Sequence, residues 1–259
     1  MKAMVLAAGL GTRLRPLTLE RPKALVTLGG RTLLEITLRR LAAVGVTEVI
    51  VNTHHFAEQV EQYLAANSAM LSGLGLRVAI SFEAEILDTG GGLKRAAHFF
   101  LHGADVDAEK SAEPFLVHNV DVLSAIDLTA MLRAHRASGA LATLAVERRA
   151  GTRQLLFDDA GQLCGRHTAG QPEELFRPAA TTHPLAFCGI HVISPAIFAR
   201  LNQDAAEGAV FPIIPAYLRL AAEGAPIMAY RAKGVYWRDL GTIASLAQAE
   251  DDLRRGVIA

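Results

Sequence analysis

The stretch "VLAAGLGTRLRPLTLERPKAL", residues 5–25, decides how the rest of the chain is read. An apolar, strand-like run ends in Gly9-Leu10-Gly11-Thr12-Arg13, and Lys23 follows further along the same segment. A glycine-rich turn between a strand and a helix offers backbone N–H groups and a helix dipole to an anion. The nucleotide-binding pattern GxxxxGK followed by Ser or Thr is absent. The dinucleotide pattern GxGxxG also fails, because its third glycine position is Leu14, and the second strand ends in Asn52 where a ribose-binding acid is expected. A plain strand-to-helix turn stays open as a reading. Arg13, Arg15 and Lys23 add fixed guanidinium and ammonium charge of the kind a triphosphate takes, on a segment stiffened by Pro16 and Pro22.

Outward from that loop, the first half of the chain alternates apolar strands with amphipathic helices. "AMVLAA", "EVIVNTHH", "LRVAISFE", "PFLVHNVDVL" and "LATLAVE" read as strands; "TLLEITLRRLAAVG", "FAEQVEQYLAAN", "GGLKRAAHFFL" and "LTAMLRAHRASG" read as helices. Continuously apolar strands between helices predict an α/β fold with a mostly parallel sheet covered on both faces. The polar run at 102–113 reads as a solvated loop. From about residue 150 the pattern changes. "RQLLFDDAGQLCGR" reads as a hairpin about Asp159-Ala160-Gly161, "QPEELFRPAATTHP" as a long loop and "LAFCGIHVI" as a strand. A final strand pair is expected to bracket "GVYWRDLGT", and "IASLAQAEDDLRRG" to close as a helix. The expectation is one domain over 1–259, with a core at 1–150 and a ligand-binding lobe with closing elements at 151–259.

Composition limits the function classes. The 259 residues are 51% hydrophobic and 20% charged with a formal net charge of zero, which disfavours disorder and a general nucleic-acid or anionic-membrane binder. Two cysteines, Cys164 and Cys188, with no CxxC pair, suggest neither a disulfide framework nor a zinc site, and a reduced cytoplasmic setting fits. "MKAMVLAAG" is too short an apolar run for a signal peptide, and nothing reaches the length of a membrane span.

The segment GLGTRLRPLT…PKAL resembles the signature of the sugar-1-phosphate nucleotidyltransferases. The resemblance implies a Rossmann-like, GT-A-like three-layer sandwich with a mostly parallel mixed sheet and a small sugar-binding lobe. It implies that Leu6, Ala7, Ala8, Gly9, Gly11, Thr12 and Arg13 wrap a nucleoside triphosphate, with Lys23 on the α-phosphate side. Asp121 in "FLVHNVDVL" and Asp239 in "YWRDLGT" match the family's two Mg²⁺-binding aspartates, and Asn119 lies at a ribose or sugar position. In "EAEILDTGGGLKRA", Glu83 stands near the base-reading position, Gly90 and Gly91 line the nucleotide and Gly92 the sugar; the TGGG form resembles the N-acetylmuramate-1-phosphate uridylyltransferases. Gly189 of "LAFCGIHVISP" is expected against the sugar. The EKP lysine that grips the sugar phosphate in many relatives has no counterpart in "GQLCGRHTAGQP", which leaves Arg166, or Glu147 and Arg148, as candidates.

The implied reaction joins an NTP (UTP, dTTP or GTP) to a sugar 1-phosphate with release of pyrophosphate, with Arg13, Lys23 and Asp121 as catalytic residues and Mg²⁺ as cofactor. A cytidylyltransferase for a phosphorylated alcohol such as phosphocholine, or a nucleotide-sensing regulatory subunit, shares the scaffold. The latter should have lost Arg13, Lys23 or an aspartate, and all are present. Neither nucleic acid nor membrane is an expected partner, and the oligomeric state stays open, a homo-oligomer included.

Overall fold

The computed structural model describes residues 1–101, 113–201 and 209–258. The polar run expected as a loop at 102–113 therefore lies, but for its last residue, outside the described residues. Contacts divide the chain into two compact units: Met1–Leu87, Val117–Ile126 and Val235–Ala259 form the first, Asp88–Leu116 and Asp127–Gly234 the second.

In the first unit, the strand Lys2–Leu6 lies between Glu48–Thr53 and the Val117–Asn119 part of the strand Phe115–Asn119. Its pairing with Glu48–Thr53 is parallel, from Lys2 opposite Glu48 to Leu6 opposite Asn52, and Glu48–Thr53 pairs in parallel with Arg77–Phe82. Ala3, Met4 and Val5 are all fully buried, so successive residues are covered on opposite faces, which is why this strand reads as an unbroken apolar run. The helix Leu33–Ala43 begins where Thr32 Oγ1 accepts the Glu35 N–H at 3.1 Å, and it buries Leu34, Leu38 and Leu41 completely. It stops before Gly45, whose φ of 83° is left-handed. The helices Ala57–Ala66 and Ser68–Gly73 follow.

"PFLVHNVDVL" is not one strand. Phe115–Asn119 ends, Val120 and Asp121 form a turn, and Val122–Ser124 resumes in a separate antiparallel pair with Trp237–Asp239. The expected strand pair around "GVYWRDLGT" is corrected accordingly, since the strand lies inside that stretch and its partner is Val122–Ser124. The helix Ile243–Arg254 closes the unit, with Thr242 and Ser245 in a reciprocal capping box.

In the second unit, strands run in the order Glu174–Leu175, Leu163–Thr168, Arg153–Phe157, His183–Ile193, Ala142–Glu147, Ile227–Arg231. These pairs are antiparallel except the last, which is parallel. The expected hairpin about Asp159-Ala160-Gly161 is present. The fold is thus α/β with a mixed sheet, parallel in the first unit. Helices Asp88–Arg95, Ala97–Leu101, Leu128–Ser138, Ile197–Leu201 and Ile213–Ala222 complete this unit. The helix expected over "GGLKRAAHFFL" is therefore two helices, broken at Ala96. The second one turns Phe100 onto Phe115, with ring centroids 3.9 Å apart.

Candidate active site

Arg13, Lys23, Asp121 and Asp239 all lie in the first unit, and the fold brings them together in pairs. Strand Lys2–Leu6 delivers Ala7 and Ala8, both buried, before the chain emerges at Gly9 and Leu10. Gly11 takes φ 63° and ψ 29°, and a Cβ there would stand 3.0 Å from Thr18 Cγ2 and 3.2 Å from Lys23 Cβ. The left-handed backbone and the tight surroundings both favour glycine. The Gly11 carbonyl accepts the Thr18 hydroxyl at 2.8 Å and the Leu14 N–H at 2.9 Å. These bonds curl the loop into the 3-10 turn Thr12–Leu14 and fold it back toward Lys23. Leu14, where a dinucleotide loop would have glycine, is fully buried and anchors the turn in the core.

Lys23 Nζ is ion-paired with Asp121 Oδ2, and both side chains are largely buried. Asp121 occupies the turn before Val122, and its carbonyl accepts the Leu240 N–H at 2.8 Å. Asp239, immediately before Leu240, stands opposite Val122 in the strand pair. The two aspartates, far apart in sequence, are thus brought close along the backbone, Asp121 in the turn that leads into Val122–Ser124 and Asp239 in the strand paired with it. Asp239 Oδ1 accepts the Gly241 N–H at 2.7 Å and lies 3.8 Å from Arg13 Nη2. Gly241 is a residue that sequence reasoning missed. A Cβ on it would lie 2.5 Å from Arg13 Nη2 and 2.6 Å from Asp239 Oδ1, so a side chain there would push the ends of this pair aside. Its signal was the glycine two residues after the aspartate in "RDLGT".

Other candidates are placed as follows. Asn119 is half-buried, and its carbonyl accepts from His118 Nδ1 at 2.8 Å, so that nitrogen carries the proton. His118 is fully buried; burial first, and the charge of Arg40 next, lower its pKa to about 3, so the ring is neutral near pH 7. Arg40, half-buried on helix Leu33–Ala43, ties the end of the Asp121 segment, donating to the Ser124 hydroxyl and the Ile126 carbonyl at 2.6 Å each. Glu83 is 1% exposed, and both its carboxylate oxygens accept from protein N–H groups.

The remaining candidates belong to the second unit. Gly90 and Gly91 give their N–H groups to the Phe211 carbonyl, at 2.9 and 3.1 Å, and a Cβ on Gly90 would lie 2.4 Å from the Phe211 ring. The close approach that Gly90 serves there is to Phe211; Gly92 is buried in the same helix. Gly189, at φ 73°, sits in the bulge where His183–Ile193 slips against Ala142–Glu147 between Phe187 and His191. Glu147 ends the facing strand, opposite Ala186. Arg166 is ion-paired with Glu174 across the strands, and its guanidinium lies 5.7 Å from the Phe176 ring centre. Cys164 and Cys188 are buried and share no disulfide, and burial pushes Cys188 up to about 12.

Against known proteins, the profile of the Nucleotidyl transferase family matches residues 2–154. An N-acetylmuramate alpha-1-phosphate uridylyltransferase of Caulobacter vibrioides is 37% identical over 86% of this chain and 85% of its own length. The chain belongs to the nucleotidyl transferase family, among the sugar-1-phosphate nucleotidyltransferases. A more distant relative of this transferase is the Arabidopsis thaliana protein named "Probable mannose-1-phosphate guanylyltransferase 2". It is 30% identical over 98% of this chain, which spans 66% of the plant protein. A solved UDP-glucose pyrophosphorylase complexed with UDP-glucose shares the fold at TM-score 0.74 and 19% identity, over 98% of both chains. Among the described residues, no helix of the transferase is long and apolar enough to cross a membrane.

Proposed function

We propose that this transferase moves a nucleoside monophosphate from an NTP to a sugar 1-phosphate, with UTP and an N-acetylated, acidic sugar 1-phosphate as the preferred pair. The observation that carries the reading is the pairing of each cation with an aspartate, Lys23 with Asp121 and Arg13 with Asp239, beside the glycine loop. The uridylyltransferase relative supports the choice of substrates. Triphosphate oxygens would draw Arg13 and Lys23 away from the carboxylates, and the carboxylates would then be free to hold a cation.

The donor set suits Mg²⁺. One or two carboxylates are what that ion takes from protein when phosphate oxygens and water complete its shell. Among the described residues there is no group of three or more acidic, histidine or cysteine side chains that could hold a metal ion. Asp121 and Asp239 would hold the ion, which when bound supplies charge neutralisation to the phosphates.

The chain's own residues do the rest by position and charge. A sugar-phosphate oxygen, already ionised at neutral pH, attacks the α-phosphorus in line. The bond from that phosphorus to the β-phosphate oxygen breaks, and pyrophosphate leaves with the electron pair. Lys23 faces the α-phosphate charge and Arg13 the charge on the departing pyrophosphate.

The test is pyrophosphate release from UTP, dTTP and GTP, each crossed with N-acetylmuramate, glucose and mannose 1-phosphates, with and without Mg²⁺. The expected result is Mg²⁺-dependent turnover, fastest with UTP and N-acetylmuramate 1-phosphate. Turnover with none of the pairs overturns the reading.

A further inference from the structure

A buried hydrogen-bond chain in the first unit has no part in the reaction as proposed. Asn52 is 3% exposed and Glu83 1%. The Ala7 N–H donates to Asn52 Oδ1 at 2.7 Å, Asn52 Nδ2 donates to Glu83 Oε1 at 2.7 Å, and the Leu87 N–H donates to Glu83 Oε2 at 3.0 Å. Backbone donors stand at both ends, so every direction is fixed. Asn52 must turn its oxygen to Ala7, and its amide nitrogen therefore meets Glu83. The same residue is held through its backbone, because His54 Nδ1 donates to the Glu83 carbonyl at 2.8 Å. A carboxylate is tolerated at this depth only where N–H donors replace water, and both Glu83 oxygens have them.

We infer that Glu83 is a positioning residue rather than the reader of the base. Through Asn52 it fixes the Ala7 peptide at which the glycine loop leaves the sheet. The inference deepens the nucleotide-binding reading above and rests on it. Two loops are joined by this chain, the one starting at Ala7 and the one at 83–87, so disturbing the carboxylate should be felt at Gly9, Gly11 and Arg13 without changing which base is preferred.

The chemistry allows a rescue. E83Q introduces an amide where two acceptors are needed, and whichever way the amides turn, one donor meets another donor. Adding N52D repairs the chain. The new carboxylate at position 52 accepts from Ala7 N–H and from the new amide at 83, whose oxygen accepts from Leu87 N–H. Charge and bond number are then those of the natural chain.

Dissociation constants for UTP, dTTP and GTP, measured by calorimetry, and amide exchange of residues 7–12, followed by mass spectrometry, test this in the wild type, E83Q and N52D/E83Q. E83Q should weaken all three nucleotides by about tenfold or more, the scale of one buried donor left without an acceptor, with their ratios unchanged. N52D/E83Q should return affinity and exchange protection to near wild type. A changed nucleotide ratio in E83Q, or a double variant no better than E83Q, overturns the inference. If E83Q does not fold, recovery of a cooperative thermal transition by N52D/E83Q is the rescue, and its absence overturns. If the wild type binds none of the nucleotides, the proposed function fails by itself. The exchange pattern at residues 7–12 then decides the positioning role, which stands if protection lost in E83Q returns in N52D/E83Q and falls otherwise.

Discussion

Lys23 and Asp121, 98 positions apart in sequence, form a largely buried ion pair at the base of the glycine loop. Each neutralises the other where water is scarce, so removing one partner leaves an uncompensated charge. K23M should therefore lower the thermal midpoint and reduce kcat by about 10²-fold or more, the scale of losing one preorganised charge-stabilising donor. Adding D121N should recover the midpoint but not the rate. Paired calorimetric melts and pyrophosphate-release rates check this, and a stable K23M protein would contradict it.

Arg13 and Asp239 make the contrasting pair, with side chains 64% and 44% exposed and 3.8 Å apart. An exposed pair of this kind contributes about 0–1 kcal/mol to stability. R13A should leave the melting curve nearly unchanged while lowering kcat by about 10²-fold or more, because its work is on charge that develops during reaction. Equal losses of stability and rate would show that Arg13 is structural instead.

At Gly241 the expected lesion is geometric. Its φ lies outside the left-handed region, so alanine fits the backbone, yet the added Cβ would lie within 2.6 Å of Arg13 Nη2 and Asp239 Oδ1. G241A should raise the Mg²⁺ concentration needed for half-maximal rate and lower kcat by about tenfold to 10²-fold, as misplacement by an ångström does elsewhere. The far-ultraviolet spectrum should not change. A wild-type Mg²⁺ requirement in G241A would exclude this positioning role.

His118 sets a pH dependence of stability. Its pKa falls from 6.5 unfolded to about 3 folded, chiefly through burial. The unfolded chain therefore binds a proton that the folded chain does not, and stability present above about pH 6.5 is lost as pH falls toward 3. His135, lowered to about 4 by burial and then by Arg136, acts with the same sign. Thermal midpoints should decline between pH 6.5 and 4, less steeply in H118Q. An identical slope in H118Q would remove His118 as a source.

Much of this was legible in the chain. The unbroken apolar run of Ala3, Met4 and Val5 read as a buried strand, and all three are fully buried; the glycine-rich turn was also legible, though the left-handed φ of Gly11 beside Thr18 and Lys23 emerges only from the fold. The break at Val120 and Asp121 was not legible, because Val120, Val122 and Leu123 keep apolar residues on both sides of Asp121, and the partner of the resumed strand, Trp237–Asp239, lies far along the chain where no local signal marks it. The pair Thr27–Leu28 with Arg31–Thr32 spans too few residues to show a period. Glu83 could be placed by resemblance near the base, but its donors, Asn52 and Leu87, emerge only from the fold. The return of the chain to the first unit at 117–126 likewise has no compositional mark.

The most direct test of the whole account is pyrophosphate release from UTP and N-acetylmuramate 1-phosphate, by the wild type and by D121N side by side. The account predicts Mg²⁺-dependent release by the wild type and none above background by a folded D121N. Release by D121N at the wild-type rate, or none by the wild type with any nucleotide and sugar 1-phosphate tried, would contradict it.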